Sequence, residues 1–336
     1  MITSFTLGNL LLLAQLQSKG VSLWPAEALT RPRLPVWSAL TSLVSLDDPR
    51  SLTLLLNEPH RNGAQLQGFV QVEQPRTWPE MYLRYISPAV DERSATCDTD
   101  RAIWTRLLTR VVSVAGERGL QRVFASVPEQ SEALHVMISV GFSVYAREEI
   151  FGLSADAHPQ VTPGEGIRPE QSTDAWYVSE LFREIVPHLV QQAEALTASK
   201  DIEMANGALG GERGEGFVLT DELGIAGYGH LLPGRAGHWL TLVVHPRAYD
   251  QADALLDYGL ALLNYYPAHP VYCAVREYQG GVRVPLEARG FERISRQSRV
   301  VKHTTVRVVE LARSLVRALE KRAEAPTPST LRSGEQ

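Results

Sequence analysis

One short landmark occurs twice in this chain, each time at the end of a predicted helix. The first copy is Met137-Ile-Ser-Val-Gly-Phe142 and the second is Leu286-Glu-Ala-Arg-Gly-Phe291. Their glycines, Gly141 and Gly290, are 149 residues apart in a chain of 336 residues. A repeat of that length is too long for a solenoid and indicates a duplicated domain. The chain length agrees, since a domain usually has about 100–200 residues.

Hydrophobic periodicity predicts how the first half is built. The residues before Asp100 predict an antiparallel meander. From Asp100 the apolar spacing changes to that of a helix, which predicts helices that alternate with strands. The predicted elements are helices at 7–19, after Pro35, at 100–119 and at 129–140, and strands at 51–56, 65–73, 81–87, 122–127 and 142–147. Gly20 is predicted to end the first helix as its C′ residue.

A stretch rich in glycine and proline, 152–166, separates the halves and is the best candidate for a linker. The elements predicted after it are a strand at 167–169, a helix at 174–185, a hairpin of 217–220 and 224–232, a strand at 239–244, a helix at 248–265, a strand at 271–275, a helix at 283–289 and closing strands at 291–295 and 299–308. The strand at 239–244 is nearly all apolar, which is typical of a central strand covered on both faces.

These boundaries predict two tandem domains, at 1–153 and 166–309, joined by a linker at 154–165. Leu311, Leu315 and Leu319 share one face of an amphipathic helix predicted at 310–324. That helix could cover a sheet face or pair with a second copy of the chain in a homodimer. The tail at 325–336, rich in Pro, Ser and Thr, is predicted to be disordered.

Composition argues against several classes of partner. The net charge of −5 and the pI near 6.0 give no attraction to phosphate backbones, so no nucleic-acid partner is expected. Cys97 and Cys273 have no Cys or His neighbour at ligand spacing, which argues against a metal site and a disulfide framework. The apolar run at 10–13 follows no basic segment and is shorter than the roughly 18 residues that span a membrane. A cytoplasmic protein without a membrane partner is predicted.

The element order and the two Gly-Phe ends resemble the Gcn5-related N-acetyltransferase family over about 7–153 and 166–308. Gly166-Ile-Arg-Pro-Glu170 is similar to the family's opening strand, and Leu242-Val-Val-His-Pro246 to its central strand. The resemblance implies an α/β fold of two tandem acetyltransferase-like domains, each a mostly antiparallel sheet flanked by helices. It also implies acyl-CoA-dependent N-acyltransferase activity on an amine of a small molecule or peptide.

In that family a pantetheine arm inserts between two splayed strands, and the pyrophosphate sits at a helix N-terminus, where N–H groups and the helix dipole favour an anion. The resemblance implies acetyl-CoA as the cofactor. The implied cofactor-binding residues are Val243, Val244, Tyr249, Gln251, Ala252 and Ala254. The C-terminal copy is the predicted binder, since the matching stretch of the first half, 87–100, lacks glycine and carries four acidic residues.

The C-terminal loop also departs from the family pattern. Tyr249 stands where the family has a cation, and Asp250 and Asp253 add negative charge where phosphates would bind. An alternative interpretation makes Asp250, and Asp98 and Asp100 in the first half, solvent-facing helix N-caps.

Amine acylation needs a base, and in the family a tyrosine commonly protonates the leaving thiolate. That tyrosine lies four residues before the Gly of Gly-Phe, where this chain has Met137 and Leu286. Tyr278 and Tyr272 are the candidate substitutes, although a tyrosine in such a segment is more often a packed aromatic.

His238 and His245 are the candidate bases, with Glu80 in the matching place of the first half. Their odd spacing puts the two histidines on opposite faces of one strand, so they cannot form one dyad there. A second hypothesis therefore stays open beside the enzyme. It is a catalytically inactive acetyltransferase-like protein that binds another ligand or acts as a scaffold.

Overall fold

The computed structural model describes residues 2–44, 51–59, 65–75, 78–157, 166–194 and 214–304. Met1–Thr304 form one compact unit. The described strands are β1 Ile2–Ser4, β2 Val21–Ser22, β3 Ser51–Pro59, β4 Gln65–Glu73, β5 Glu80–Ser87, β6 Arg122–Pro128, β7 Ser143–Leu153, β8 Ile167–Pro169, β9 Glu215–Asp221, β10 Gly224–Leu232, β11 His238–Val244, β12 Val271–Arg276 and β13 Glu292–His303. The described helices are α1 Leu10–Leu16, α2 Pro25–Thr30, α3 Pro35–Val44, α4 Cys97–Glu117, α5 Glu132–Ser139, α6 Ala175–Ile185, α7 His188–Glu194, α8 Ala252–Leu262 and α9 Arg283–Ala288.

All the described strands belong to a single mixed sheet. Its order is β1-β3-β4-β5-β6-β13-β7-β12-β11-β10-β9-β8, and β2 pairs with β5 outside that path. The two halves of the chain therefore share one continuous sheet flanked by helices.

The halves exchange their last strands at the centre of this sheet. β13, from the second half, lies antiparallel between β6 and β7, both from the first half. β7 in turn lies antiparallel between β13 and β12. Each half thus completes its sheet with the final strand of the other.

The repeated landmark has the same local geometry in both halves. Gly141 has φ +89° and Gly290 has φ +85°, a left-handed conformation that suits glycine. The N–H of Phe142 donates to the Met137 carbonyl at 3.0 Å, and that of Phe291 to the Leu286 carbonyl at 3.0 Å. These bonds close a helix end of the Schellman type and turn each phenylalanine into the core.

Helices cover both faces of the sheet in the second half. Leu242 and Val244 lie in the cluster formed with α8 and α9, whereas Val243 lies in the cluster formed with α6 and α7. Neighbouring residues of a strand point to opposite faces, and all residues of β11 are buried. The prediction of a central strand covered on both faces is confirmed.

The meander, the 217–232 hairpin and the helices before each landmark agree with prediction within a few residues. The closing hairpin predicted at 291–308 is wrong, since β13 is one strand across the polar residues Arg296, Gln297 and Ser298. Polar residues suggested a turn, but Gln297 and Ser298 are buried in the sheet centre. β1, β2, α2 and α7 were not predicted. The helix at 310–324, the tail and part of the linker lie outside the described residues.

Gly20 does not end the first helix in the predicted way. Its φ of −99° and ψ of −178° are extended, not left-handed. A Cβ atom at this position would lie 2.3 Å from the Tyr85 ring and 2.5 Å from the Ile86 carbonyl oxygen. Glycine is required here because the chain passes close to β5.

Candidate functional site

Two pairs of parallel strands part along their length, one pair in each half. β5 and β6 pair Glu80 with Arg122, Met81 with Val123 and Tyr82 with Phe124. β11 and β12 pair His238 with Val271, Trp239 with Tyr272 and Leu240 with Cys273. We call the openings beyond these pairs the N-terminal cleft and the C-terminal cleft. By position along the strands, Leu242 of β11 corresponds to Arg84 of β5, and Val275 of β12 corresponds to Ser126 of β6.

The chain itself fills the N-terminal cleft. Residues 21 and 22 pair antiparallel with Ile86 and Tyr85 of β5. The Leu23 N–H donates to the Arg84 carbonyl of β5 at 2.9 Å, and the Leu23 carbonyl accepts from the Ser126 N–H of β6 at 3.0 Å. One residue thus joins both parted strands.

Side chains close the C-terminal cleft, and no described segment is inserted as a strand there. Val282 is 1% exposed and belongs to the cluster of Leu242 and Val275 on one face. Tyr278 packs against the cluster of Val243 on the other face. Because side chains rearrange at lower cost than paired backbone, this cleft is the one that a ligand could open.

In the loop that leads from β11 into α8, backbone N–H groups donate to acceptors of the same loop. Residues Pro246–Gln251 form a 3₁₀ turn. The Ala248 N–H donates to the His245 carbonyl at 2.9 Å, and the Arg247 N–H donates to His245 Nδ1 at 3.1 Å. The Ala252 N–H donates to the Tyr249 carbonyl. These N–H groups are occupied inside the turn.

Tyr249 packs on the turn that carries Val282 at the C-terminal cleft. Its ring is packed on Gly281, where an added Cβ would be 2.4 Å from the ring. Ala252 is buried and Ala254 half-buried, as small residues at the start of a helix. The residues at the start of α8 are therefore small enough for a close approach, and the Tyr249 ring occupies the space beside Gly281.

The two acidic residues of this loop differ in their surroundings. Arg289 donates to Asp253 at 2.9 Å, which offsets its charge, whereas Asp250 is exposed. The prediction of Asp250, Asp98 and Asp100 as N-caps is wrong. Gln251 precedes α8 and Thr96 precedes α4. Asp100 is buried one turn inside α4 and accepts from the Thr96 hydroxyl at 2.7 Å, because both lie on the same face of the helix.

One candidate base begins β11 and the other directly follows it, about 23 Å away at the usual rise per residue of a strand. His238 is fully buried, with Nε2 2.9 Å from the Pro267 carbonyl oxygen. His245 is partly exposed, and its Nε2 is 3.5 Å from Glu184. Glu80, which matches His238 in register, is buried and accepts from the Tyr82 hydroxyl at 2.8 Å.

Tyr278 belongs to a buried polar cluster at the centre of the shared sheet. Arg276 donates to the Tyr278 hydroxyl at 2.9 Å and to both carboxylate oxygens of Glu194, at 2.9 and 3.2 Å. Arg299 donates to the Tyr145 hydroxyl at 3.3 Å and lies 3.5 Å from Glu148. Sequence reasoning missed this cluster, because its members come from α7, β7, β12 and β13. The polar run in the middle of β13 was the one signal.

Burial and charge set the protonation of this cluster. Burial raises the pKa of Tyr278 to about 12, so its hydroxyl keeps its proton at neutral pH. Burial also acts to raise the pKa of Glu194, but Arg276 and Arg299 outweigh it and hold the pKa below its ordinary value. Glu194 is therefore a carboxylate committed to Arg276, and it is a poor proton acceptor.

The described residues contain no cluster of three or more His, Cys, Asp or Glu side chains placed to hold a metal ion. None of the described helices is both long and apolar enough to cross a membrane.

No protein-family model matches the sequence, and no curated protein matches it. Solved structures do match the chain. A GCN5-related N-acetyltransferase from Sphaerobacter thermophilus has a TM-score of 0.53 and 17% identity over 90% of this chain and 95% of that one. A tandem GNAT protein from the clavulanic acid biosynthesis pathway has a TM-score of 0.53 and 15% identity over 90% of this chain and 98% of that one. The described part of this chain therefore has a tandem GCN5-related N-acetyltransferase fold.

Proposed function

We propose that this protein is an acyl-CoA-dependent N-acyltransferase with one donor site, in the C-terminal cleft, and an amine of a small molecule or peptide as acceptor. The observation that carries the proposal is the contrast between the clefts. β11 and β12 part after the same number of pairs as β5 and β6, and only the N-terminal cleft holds a described segment of the chain. Activity is therefore assigned to the second half.

The residues present fit one part of acetyl-CoA and not the other. Parted strands with Val243 and Val244 on β11 suit a pantetheine arm once Tyr278 and Val282 give way. The loop does not suit the pyrophosphate as it stands. Its N–H groups at 247, 248 and 252 are bonded within the turn, and Arg247 donates to Asp221 at 2.8 Å. Binding is therefore assigned to the pantetheine arm.

A binding comparison tests this division. The full chain is titrated by calorimetry with acetyl-CoA and with S-acetylpantetheine, which lacks the nucleotide. One site per chain is expected, with the two affinities within about tenfold, or about 1.4 kcal/mol. No binding of either compound at millimolar concentration would overturn the proposal.

Two substitutions of Tyr249 separate the contributions to binding. Tyr249→Ala uncovers Gly281, so both compounds should bind more tightly by the same factor. Tyr249→Arg also supplies the missing cation, so it should favour acetyl-CoA over S-acetylpantetheine by a further factor of about ten. Equal effects of both substitutions on both compounds would show that the loop does not face the nucleotide.

A non-catalytic binding protein is the second candidate function, and specific contacts favour it. Val282 and Tyr278 fill the C-terminal cleft from its two faces, His238 is buried, and His245 is engaged with its own turn. Thiol release from acetyl-CoA in the presence of polyamine, aminoglycoside and peptide amines separates the two functions. Binding without release above the buffer rate would select this second candidate.

A further inference from the structure

A segment of the chain's own backbone fills the N-terminal cleft. We propose that residues 21–23 occupy the place that a pantetheine arm takes in this fold, and that the segment continuing from them clamps the two halves together. This goes beyond the donor site of the C-terminal cleft. Its consequence is that the first half holds its shape without a cofactor.

Backbone pairing carries the first part of the proposal. Residues 21 and 22 extend β5 as an antiparallel partner, and Leu23 then donates to β5 and accepts from β6. An amide of pantetheine offers the same two groups, a donor and an acceptor, to the same parted strands. The Leu23 side chain is fully buried. A second occupant cannot enter while this segment stays in place.

The entry to the cleft is built for this segment. A Cβ at Gly20 would collide with the backbone of Ile86 and the ring of Tyr85. The Ala89 N–H donates to the Lys19 carbonyl at 2.7 Å, and the Ser87 hydroxyl donates to the Leu16 carbonyl at 2.7 Å. The chain is thus held before it enters, as well as inside.

The residues that follow reach the second half. The Trp24 ring meets Tyr82 edge-on at 5.3 Å, and the Arg299 guanidinium of β13 lies 4.6 Å from the Trp24 ring centroid. At the end of α2, the Thr30 carbonyl accepts from the Ala236 N–H at 2.9 Å, and Arg31 donates to the Pro233 carbonyl. The segment therefore joins the N-terminal cleft to the turn between β10 and β11.

Hydrogen exchange of the unmodified full chain tests directly whether residues 21–23 occupy the cleft. If residues 21–23 are a permanent occupant, the Leu23 and Ser126 amides exchange as slowly as the core of β6, and millimolar acetyl-CoA leaves them unchanged. Exchange at loop rates, or a change on adding acetyl-CoA, would overturn the proposal. The exchange rates of these amides are first read without ligand and lie in the first half. Their result is therefore independent of whether the C-terminal cleft binds a donor.

A matched pair of glycine substitutions adds a perturbation. Gly20→Ala forces the segment away from β5. The Leu23 and Ser126 amides, and the Ala236 amide that donates to the Thr30 carbonyl, should then exchange at least about tenfold faster relative to Val70. Gly8→Ala is the control, since its nearest neighbour would be an ordinary 3.8 Å away. Unchanged exchange in folded Gly20→Ala would contradict the clamp. If Gly20→Ala fails to fold, the unmodified chain still decides.

Discussion

Replacing Glu194 with glutamine removes a charge from the centre of the shared sheet without changing its shape. The Glu194 side chain is 2% exposed and binds both ends of the Arg276 guanidinium. Among the charged groups of the described residues, Arg276 would keep the Glu148 carboxylate, 3.9 Å away, and it would still donate to the Tyr278 hydroxyl. Removing one partner of a buried pair costs about 3–5 kcal/mol, because the other charge stays buried without its counter-charge. We expect a loss of about 3 kcal/mol in the free energy of unfolding.

Urea unfolding followed by tryptophan fluorescence measures this loss. Glu180→Gln on the neighbouring helix is the control, because its pair with Arg183 is half-exposed and should contribute less than about 1 kcal/mol. Replacing both Glu194 and Arg276 with leucine should cost less than Glu194→Gln alone. A loss below about 1 kcal/mol for Glu194→Gln would refute the account of this cluster.

The pH dependence of the same variant has a definite sign. The folded pKa of Glu194 is lower than its ordinary value of 4.5. Its contribution to stability is therefore present above pH 4.5 and is lost as the pH falls through the folded value. Glu194→Gln has no such loss, so its stability should approach that of the unmodified chain on acidification. A constant difference across that window would contradict a pKa lowered by Arg276.

Three further predictions concern single sites. Burial lowers the pKa of His230 from 6.5 to about 4, so on acidification the histidine takes up its proton in the unfolded chain before it does in the folded chain. Between pH 7 and 4 the free energy of unfolding of the unmodified chain should therefore fall by about 3 kcal/mol more than that of His230→Leu, as measured by urea unfolding. Gly281→Ala should displace the Tyr249 ring and lower the melting temperature, whereas Gly280→Ala, with nothing within 4 Å, should not. Gly290→Ala, at φ +85°, should cost about 1 kcal/mol in urea unfolding, and Gly116→Ala in the last turn of α4 should stabilise by up to about 1 kcal/mol. Equal effects within either glycine pair, or parallel pH curves for His230→Leu, would contradict these assignments.

Local signals predicted the repeated unit. The Gly-Phe landmark could be recognised because a left-handed glycine and a buried aromatic recur at the end of each helix. The apolar stretch of β11 could be assigned to a covered central strand, since seven buried residues leave no polar face. The parting of β11 from β12 followed from the resemblance and not from periodicity.

The exchange of strands between the halves could not be predicted. Nothing local in the sequences of β7 and β13 states which half supplies the partner strand. The polar residues at the centre of β13 suggested a turn, because the sequence does not show that strands of the other half lie on both sides of them. Arg299 is 7% exposed because Glu148 and Tyr145 of the other half accept from it.

The occupant of the N-terminal cleft was also beyond sequence reasoning. A strand of two residues, Val21 and Ser22, has no periodicity to detect. Gly20 carried a signal, but a glycine after a helical pattern suggests a helix end before it suggests a close approach to another strand. The domain limits at 153 and 166, and a homodimer through the helix at 310–324, stay predictions.

Hydrogen exchange of the full chain with and without acetyl-CoA tests the central claim most directly. A single donor site in the second half predicts slower exchange in peptides that cover residues 241–254 and 274–283, with no change in residues 20–24 and 83–89. Slower exchange in residues 83–89 on adding acetyl-CoA would contradict this claim. So would unchanged exchange in residues 241–254 at millimolar acetyl-CoA.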